Sequence, residues 1–339
     1  MTGFVTLKRV AQEAGVSVYS ASRALNGLDG VSDATRTRVR EVAKDLGYVP
    51  NRTAQMLRGE GTRTVGILTA KSENVYYAKL VAGIEDVVRP AGYHTLTADA
   101  TDGEAYSQHR EAEFIETMLE LRVAAVILSY RIRSENLVRL LERQIPVVFV
   151  DCTPPDEFSH LPSAMGNGED ISRDVGRHFA EHGYRNWAFL GHTAGWPTRE
   201  GRQRGLTTAA AEAEATLQII EGSNSIETAQ GAVAAFLRTD EGRAMDALYC
   251  SNELLINGAI RALRREGIRI GQDIGLIGFD DFDWAPAFDV PITVVDQQTR
   301  EIGRHAGALV LAARGEEDAP TAPMPVPALV LRESCGCSA

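Results

Sequence analysis

The sequence predicts two kinds of structure in one chain: an N-terminal all-α head with a helix-turn-helix, and a much larger two-lobed α/β body with parallel sheets and helices on both faces. Three observations carry this. The first 50 residues contain three short stretches of helical periodicity, each behind a hydroxyl residue. From residue 64 onward, apolar strand candidates alternate with helix-length amphipathic stretches. Charge divides the same way: residues 1–63 hold 10 Lys+Arg and 6 Asp+Glu, net +4, and residues 64–339 hold 25 and 40, net −15, which together give the −11 of the whole chain. A chain of 339 residues also exceeds what one hydrophobic core organises.

In the head, Thr6 is placed to cap a helix from Leu7 to Ala14, with Val10, Ala11 and Ala14 on one face. Gly15-Val16 makes the turn, and Ser17 caps a second helix through Leu25. A third helix starts behind Ser32, carries Val39, Val42, Ala43 and Leu46 on one face, and stops at Gly47. The second helix of such a unit fits the major groove of DNA, where residues early in it face base edges. Those are Val18, Tyr19 and Arg23. Arg23 can donate two hydrogen bonds to a guanine, and Val18 can pack on a thymine methyl. Ser17, Ser20, Asn26, Ser32 and Thr35 offer hydroxyl and amide groups to phosphates. A small basic head on an acidic body brings the head to DNA and keeps the body off it.

Pro50 ends the head, and Asn51 can cap one to two turns of helix from Arg52 to Arg58 before Gly59. Alone in water such a short helix is marginal, because about 12 to 15 residues are needed even in favourable sequences.

In the body the strand candidates are TVGILTA, HTLTADA, AAVILSY and PVVFVD, then NWAFLGH, ATLQIIEG, ALYCS and DIGLIGFD. Ligands of open parallel sheets bind beyond the carboxyl ends of the strands. That rule selects Asn74, Tyr76 and Tyr77 from one lobe and Trp196, Thr198, Arg202, Asn252 and Asp280 from the other. Amides, a carboxylate and an arginine grip hydroxyl groups from both sides of the hydrogen bond, and aromatic faces cover C–H surfaces. A sugar fits this set, and Arg202 also admits a sugar acid or sugar phosphate. Trp284 reads as packing at the lobe boundary.

The sequence contains no GxxxxGK[ST], HExxH or GxSxG, and it shows no catalytic constellation and no call for a cofactor. His178 and His182 stand four apart on a helix and read as a surface pair; Cys335-Gly-Cys337 reads as an ordinary tail, since no further metal ligand lies near either in sequence. No metal site is expected. Neither an export signal nor a membrane span is legible, and the cysteines are too scattered for a disulfide framework, so a cytoplasmic protein is expected.

Val5-Thr6-Leu7, Val10-Ala11, Ala14-Gly15-Val16-Ser17, Ser22-Arg23, Leu25-Asn26, Val31-Ser32, Leu46-Gly47-Tyr48 and Pro50-Asn51-Arg52 resemble the head of lactose-repressor (LacI/GalR) family regulators. The resemblance continues through Val65-Gly66-Ile67, Asn252, Ile277-Gly278-Phe279-Asp280-Asp281 and Leu331-Arg332-Glu333-Ser334. It implies a periplasmic-binding-protein-like body with chain crossings near residues 161 and 291. The implied organisation is a head over 1–50, a hinge over 51–62 and an effector and dimerisation domain over 63–339, with lobes of about 63–161 plus 292–323 and 162–291 plus 324–339. It also implies that Thr6, Tyr48, Asn51 and Ala54 join the DNA-facing set, and that Leu57 wedges a base step apart in the minor groove. Arg9 departs from the acid usual in the family, and Val18-Tyr19-Ser20-Ala21 departs from a common Thr-Val pairing. Function then reads as a repressor of a carbohydrate-utilisation operon, a homodimer on a pseudo-palindromic operator, with affinity set by a sugar. The rival readings are a cytoplasmic sugar receptor and a sugar-processing enzyme, neither with operator specificity.

Overall fold

The computed structural model describes residues 5–48, 62–70, 74–103, 105–192, 197–316, 319 and 321–337. Asn51, Ala54 and Leu57, together with the expected hinge helix, lie outside them, as does Trp196. The chain divides into Met1–Gly61 and Thr62–Ala339.

The first unit contains α1 (Leu7–Glu13), α2 (Val18–Leu25) and α3 (Asp33–Asp45). Each begins where a hydroxyl satisfies an early amide that has no partner inside the helix: Thr6 accepts from Arg9 N, Ser17 from Ser20 N and Ser32 from Thr35 N. Each such cap is worth about 1 kcal/mol. Gly15 in the α1–α2 turn has φ +63, a conformation glycine adopts without strain. Val10, Ala11, Ala14, Ala21, Ala24, Val39 and Ala43 form the core, and their small size lets three short helices approach closely; Tyr48 packs at its edge.

The second unit opens with β1 (Thr64–Thr69), α4 (Val75–Val88) and β2 (His94–Asp99), then the short antiparallel pair β3 (Thr101–Asp102) and β4 (Ala105–Tyr106). There follow α5 (Gln108–Glu120), β5 (Ala125–Leu128), α6 (Ser134–Glu142), β6 (Val147–Val150) and β7 (Ser163–Ala164). Its sheet has the order β2-β1-β5-β6-β7, parallel throughout. Neighbouring strand residues alternate between two cores: Val65, Ile67, Ile127, Val148 and Val150 face one way, and Leu68, Val126, Leu128, Val147 and Phe149 the other. Apolar faces on both sides demand helices on both sides, which is why these strands read as unbroken apolar runs.

The second lobe contains α7 (Gly168–Glu181), β8 (Asn186–Gly191), α8 (Pro197–Glu212), β9 (Thr216–Glu221), α9 (Ile226–Phe236) and α10 (Asp240–Ala244). It continues with β10 (Ala247–Cys250), α11 (Glu253–Arg265), β11 (Gly275–Phe279) and β12 (Thr293–Asp296). The chain then crosses back as α12 (Thr299–Ala313), which packs on α4, and returns as β13 (Ala328–Val330), antiparallel to β12. The order is β13-β12-β11-β10-β8-β9. Gly83 and Gly303 let α4 and α12 touch backbone to backbone, since a Cβ at either would stand 2.0 Å from the Arg300 carbonyl oxygen or 2.2 Å from that of Leu80.

The crossings fall a few residues beyond the expected 161 and 291. Ser163 and Ala164 still pair with β6, and Thr293–Asp296 still pairs with β11, so the chain changes lobe at 165–167 and 297–298.

Candidate functional site

On α2, Val18 and Tyr19 are 46% and 70% exposed, a deliberate-looking cost for large apolar groups unless a partner covers them. Arg23 is half-buried and partly committed: its Nε donates to the Asp29 carbonyl, its Nη1 donates to Tyr19 Oη at 3.1 Å, and its guanidinium lies 5.5 Å from the Tyr19 ring centroid. The side chain is thereby held beside Tyr19 and the Asp29–Gly30 turn. Ser17 and Ser32 are occupied as caps, and their hydroxyls also sit 2.9 Å from Ser20 Oγ and Thr35 Oγ1. Asn26 closes the carboxyl end of α2.

In the body, the carboxyl ends of the two parallel sheets line one cleft. Asn74, Tyr76 and Tyr77 face it from the first lobe, and Thr198, Arg202, Asn252 and Asp280 from the second. Asn74 caps α4 by accepting from Tyr76 N at 2.9 Å, and Asn252 caps α11 by accepting from Leu255 N at 3.0 Å. Each uses its side-chain oxygen locally, as a cap. Asn252 Nδ2 donates to Asn224 Oδ1 at 2.7 Å.

Four further polar groups line the cleft that strand-end reading did not select: Asp151, His192, Asn224 and Gln297. Asp151 directly follows β6, His192 follows β8 and Gln297 follows β12, so the rule that found Asp280 could have found them. Trp284 does not line the cleft; it is 39% exposed and packs 5.2 Å from the Phe282 ring.

The electrostatics are unusual for a cavity. Asp151 and Asp280 both stand in the left-handed region, with φ +59 and +75, each immediately after a strand. Such backbone costs about 1 kcal/mol or more and persists where surrounding packing imposes it. Burial raises the Asp151 carboxyl to about 6, against the lowering influences of the Tyr76 hydroxyl and Arg202. Burial also raises Asp280, while Arg202 and Gln297, whose Nε2 donates to Asp280 Oδ1, pull it down. One buried guanidinium therefore faces two carboxylates. Burial pushes the phenols of Tyr76 and Tyr77 well up, which keeps them neutral donors.

Arg202 is held from two sides: Nη1 donates to the Ser251 carbonyl, and the guanidinium lies 3.5 Å from the Phe279 ring centroid. Its Nε is buried without a hydrogen-bond partner. An unsatisfied buried donor costs about 1–3 kcal/mol, which leaves Arg202 Nε available to an acceptor in the cleft.

The lobes are joined across the cleft by Lys79 of α4, which donates to Asp283 Oδ1 at 2.8 Å and to the Asp281 carbonyl at 3.3 Å. Asp281 is itself gripped by Arg332 through two bonds of 3.1 and 3.0 Å.

One expectation from the sequence is corrected. The His178/His182 pair and the Cys335-Gly-Cys337 segment are not isolated: the chain's return after α12 brings all four side chains together, with ligand atoms within 4.8 Å of one another. They were read apart because they are 155 residues apart in sequence. Among the described residues no helix is long and apolar enough to cross a membrane.

Comparison with known proteins fits this geometry. Residues 6–51 match the model of bacterial regulatory proteins of the lacI family, and residues 177–335 match a periplasmic binding protein-like domain. The HTH-type transcriptional repressor PurR of Photobacterium profundum is 30% identical over 307 residues, 89% of each chain. That of Aliivibrio fischeri is 29% identical over 318 residues, 92% of this chain and 93% of its own. The Lac repressor dimer bound to operator and the anti-inducer ONPF has the same fold, with TM-score 0.83, 23% identity and coverage of 98% and 99%. A complex of the transcriptional regulator CelR with cellobiose gives TM-score 0.69 at 25% identity, covering 97% and 99%. Repressors of this kind bind operator DNA and small-molecule effectors as dimers. The chain belongs to the lacI family of bacterial regulatory proteins and is a DNA-binding transcriptional repressor whose hold on DNA is controlled by a ligand.

Proposed function

We propose that the controlling ligand is a sugar, sugar acid or sugar phosphate held in the cleft between the lobes, and that the regulated genes serve carbohydrate use. The observation that carries this is the unpartnered Arg202 Nε, buried among two carboxylates, neutral amides and neutral phenols. A polyol supplies hydroxyls that donate to Asp151 and Asp280 and accept from Arg202, Asn74 and Tyr76. Cellobiose in the CelR complex is a sugar on the same fold and supports this chemistry.

The protein acts as a cytoplasmic homodimer on a pseudo-palindromic operator, because a two-fold protein repeats its contacts on two half-sites. In the head, Val18, Tyr19 and Arg23 read bases, while Thr6, Ser17, Ser20, Asn26, Ser32, Thr35, Tyr48 and Asn51 position the backbone, and Ala54 and Leu57 enter the minor groove. A ligand that binds one state of lobe closure better, with a coupling of about 1–3 kcal/mol, changes operator affinity about 5- to 150-fold. Selection of bound DNA from a random pool, followed by titration of sugars, sugar acids, sugar phosphates and nucleobases against the winning site, tests the reading. Response to a carbohydrate alone is the expected result. Response to a nucleobase and to no carbohydrate overturns the ligand class.

A further inference from the structure

Helix α7 closes with His178 and His182 one turn apart on the same face, the second serving as its C-terminal cap. Segment 331–337 lies across this helix end. Ser334 anchors it: its Oγ accepts from Thr293 N at 2.8 Å and donates to the Leu276 carbonyl at 2.6 Å, and its own carbonyl accepts from Leu276 N at 2.7 Å. Gly336 then turns with φ +95, and a Cβ there would stand 2.6 Å from Tyr184 Oη. Only glycine permits this turn, which directs the flanking Cys335 and Cys337 toward the two imidazoles.

Cys337 Sγ lies 3.3 Å from His182 Nε2 and 3.7 Å from His178 Nε2, and one ligand atom from each of the four residues lies within 4.8 Å of the other three. A tetrahedron with Zn–S of about 2.3 Å and Zn–N of about 2.0 Å has edges of roughly 3.3 to 3.8 Å. The closer separations already match, and small side-chain rotations bring in the rest. We infer that His178, His182, Cys335 and Cys337 form a structural Zn2+ site that clamps segment 331–337 onto the second lobe.

The donor set selects the metal class. Two thiolates and two imidazoles suit zinc, whereas calcium and magnesium require oxygen ligands. Four protein ligands leave no open position for substrate, which marks the site as structural. Binding displaces the two thiol protons to solvent, and the two thiolates neutralise the ion. His178 presents Nε2 to the sulfur, and its Nδ1 lies 3.9 Å from the Glu181 carboxylate. A rotation of the exposed Glu181 side chain would close that gap to the outer hydrogen bond a ligating imidazole uses to fix its orientation. The clamp joins residues 155 apart in sequence, so it constrains a long loop of the unfolded chain. It also secures Arg332, whose grip on Asp281 borders the cleft carboxylate Asp280.

The test uses the full chain, reduced and purified without a histidine tag. Elemental analysis after dialysis should find about one zinc per chain, and Co2+ in its place should give thiolate-to-metal charge transfer and the intense visible bands of a tetrahedral centre. Competition with a chromogenic chelator should show Cys337→Ser and His182→Gln each weakening zinc by more than about 100-fold, beyond what loss of an outer partner does. His182 is exposed and Cys337 is half-buried at the edge of the second lobe's core, so neither substitution empties a fully buried site. Zinc should raise Tm in the unsubstituted chain and leave it unmoved in the double variant. Zinc binding retained in the double variant overturns the site. So does a reduced chain that takes up no zinc and shows no tetrahedral cobalt spectrum.

Discussion

Replacing Asp151 by Asn should stabilise the protein while weakening its response to ligand. Burial raises the Asp151 carboxyl from 3.8 to about 6. At about 1.4 kcal/mol for each tenfold change, the ionised form costs the folded state about 3 kcal/mol. This is an upper figure, because part of Asp151 faces the cleft. The sign follows from proton linkage: a carboxyl raised on folding favours the folded state below pH 3.8, and that advantage is lost as pH rises to about 6. Asn keeps the shape of the side chain and tolerates the left-handed backbone at φ +59, so the substitution isolates charge. Chemical denaturation of both chains at pH 4, 6 and 8 should show nearly equal stabilities at pH 4 and a gap of up to about 3 kcal/mol in favour of Asp151→Asn at pH 8. A gap independent of pH, or none at pH 8, refutes the argument that the carboxylate is held charged at a cost. The same variant should bind the effector more weakly at pH 8, because an amide replaces a charged acceptor.

Arg202→Ala removes the cleft's buried guanidinium and should weaken the effector about 10- to 100-fold, the worth of a charge-assisted hydrogen bond, with operator binding in the absence of effector retained; titration of operator release reads both. Arg23→Ala should cost about 1–3 kcal/mol on the selected operator and little on random DNA, and equal losses on both would remove Arg23 from base reading. Gly303→Ala places a methyl 2.2 Å from the Leu80 carbonyl oxygen where α4 meets α12, so it should destabilise the effector domain by about 1–3 kcal/mol in denaturation. Lys79→Ala removes the ion pair that spans the lobes. With Asp283 85% exposed, thermal unfolding should register less than about 1 kcal/mol, while the midpoint of effector titration shifts measurably.

The head was legible almost residue by residue because its determinants are local. Thr6, Ser17 and Ser32 each satisfy an amide three residues on, and the spacing of Val39, Val42, Ala43 and Leu46 states which face is buried. The strand-end rule likewise placed Asn74, Arg202, Asn252 and Asp280 in one cleft, since in a parallel sheet every strand delivers its carboxyl end to the same edge. Asp151 was within reach of that rule. Its elevated carboxyl was not, because the shift comes from burial under groups from distant parts of the chain, with Asp280 adding to it and Tyr76 and Arg202 opposing it.

What the sequence by itself determined, then, is composition-driven: a basic three-helix head, an acidic body of alternating strands and helices, and the edge at which ligand chemistry gathers. What only the tertiary structure decided is how side chains far apart in sequence meet. Arg23 is drawn back onto Tyr19 and the Asp29 carbonyl because the chain after α2 folds over it. His178 and His182 acquire two thiol partners because the chain crosses to the first lobe, packs α12 there and returns beside β12. Periodicity and capping act over three or four residues, and they cannot report a meeting between positions 155 apart that depends on the path of the chain between them.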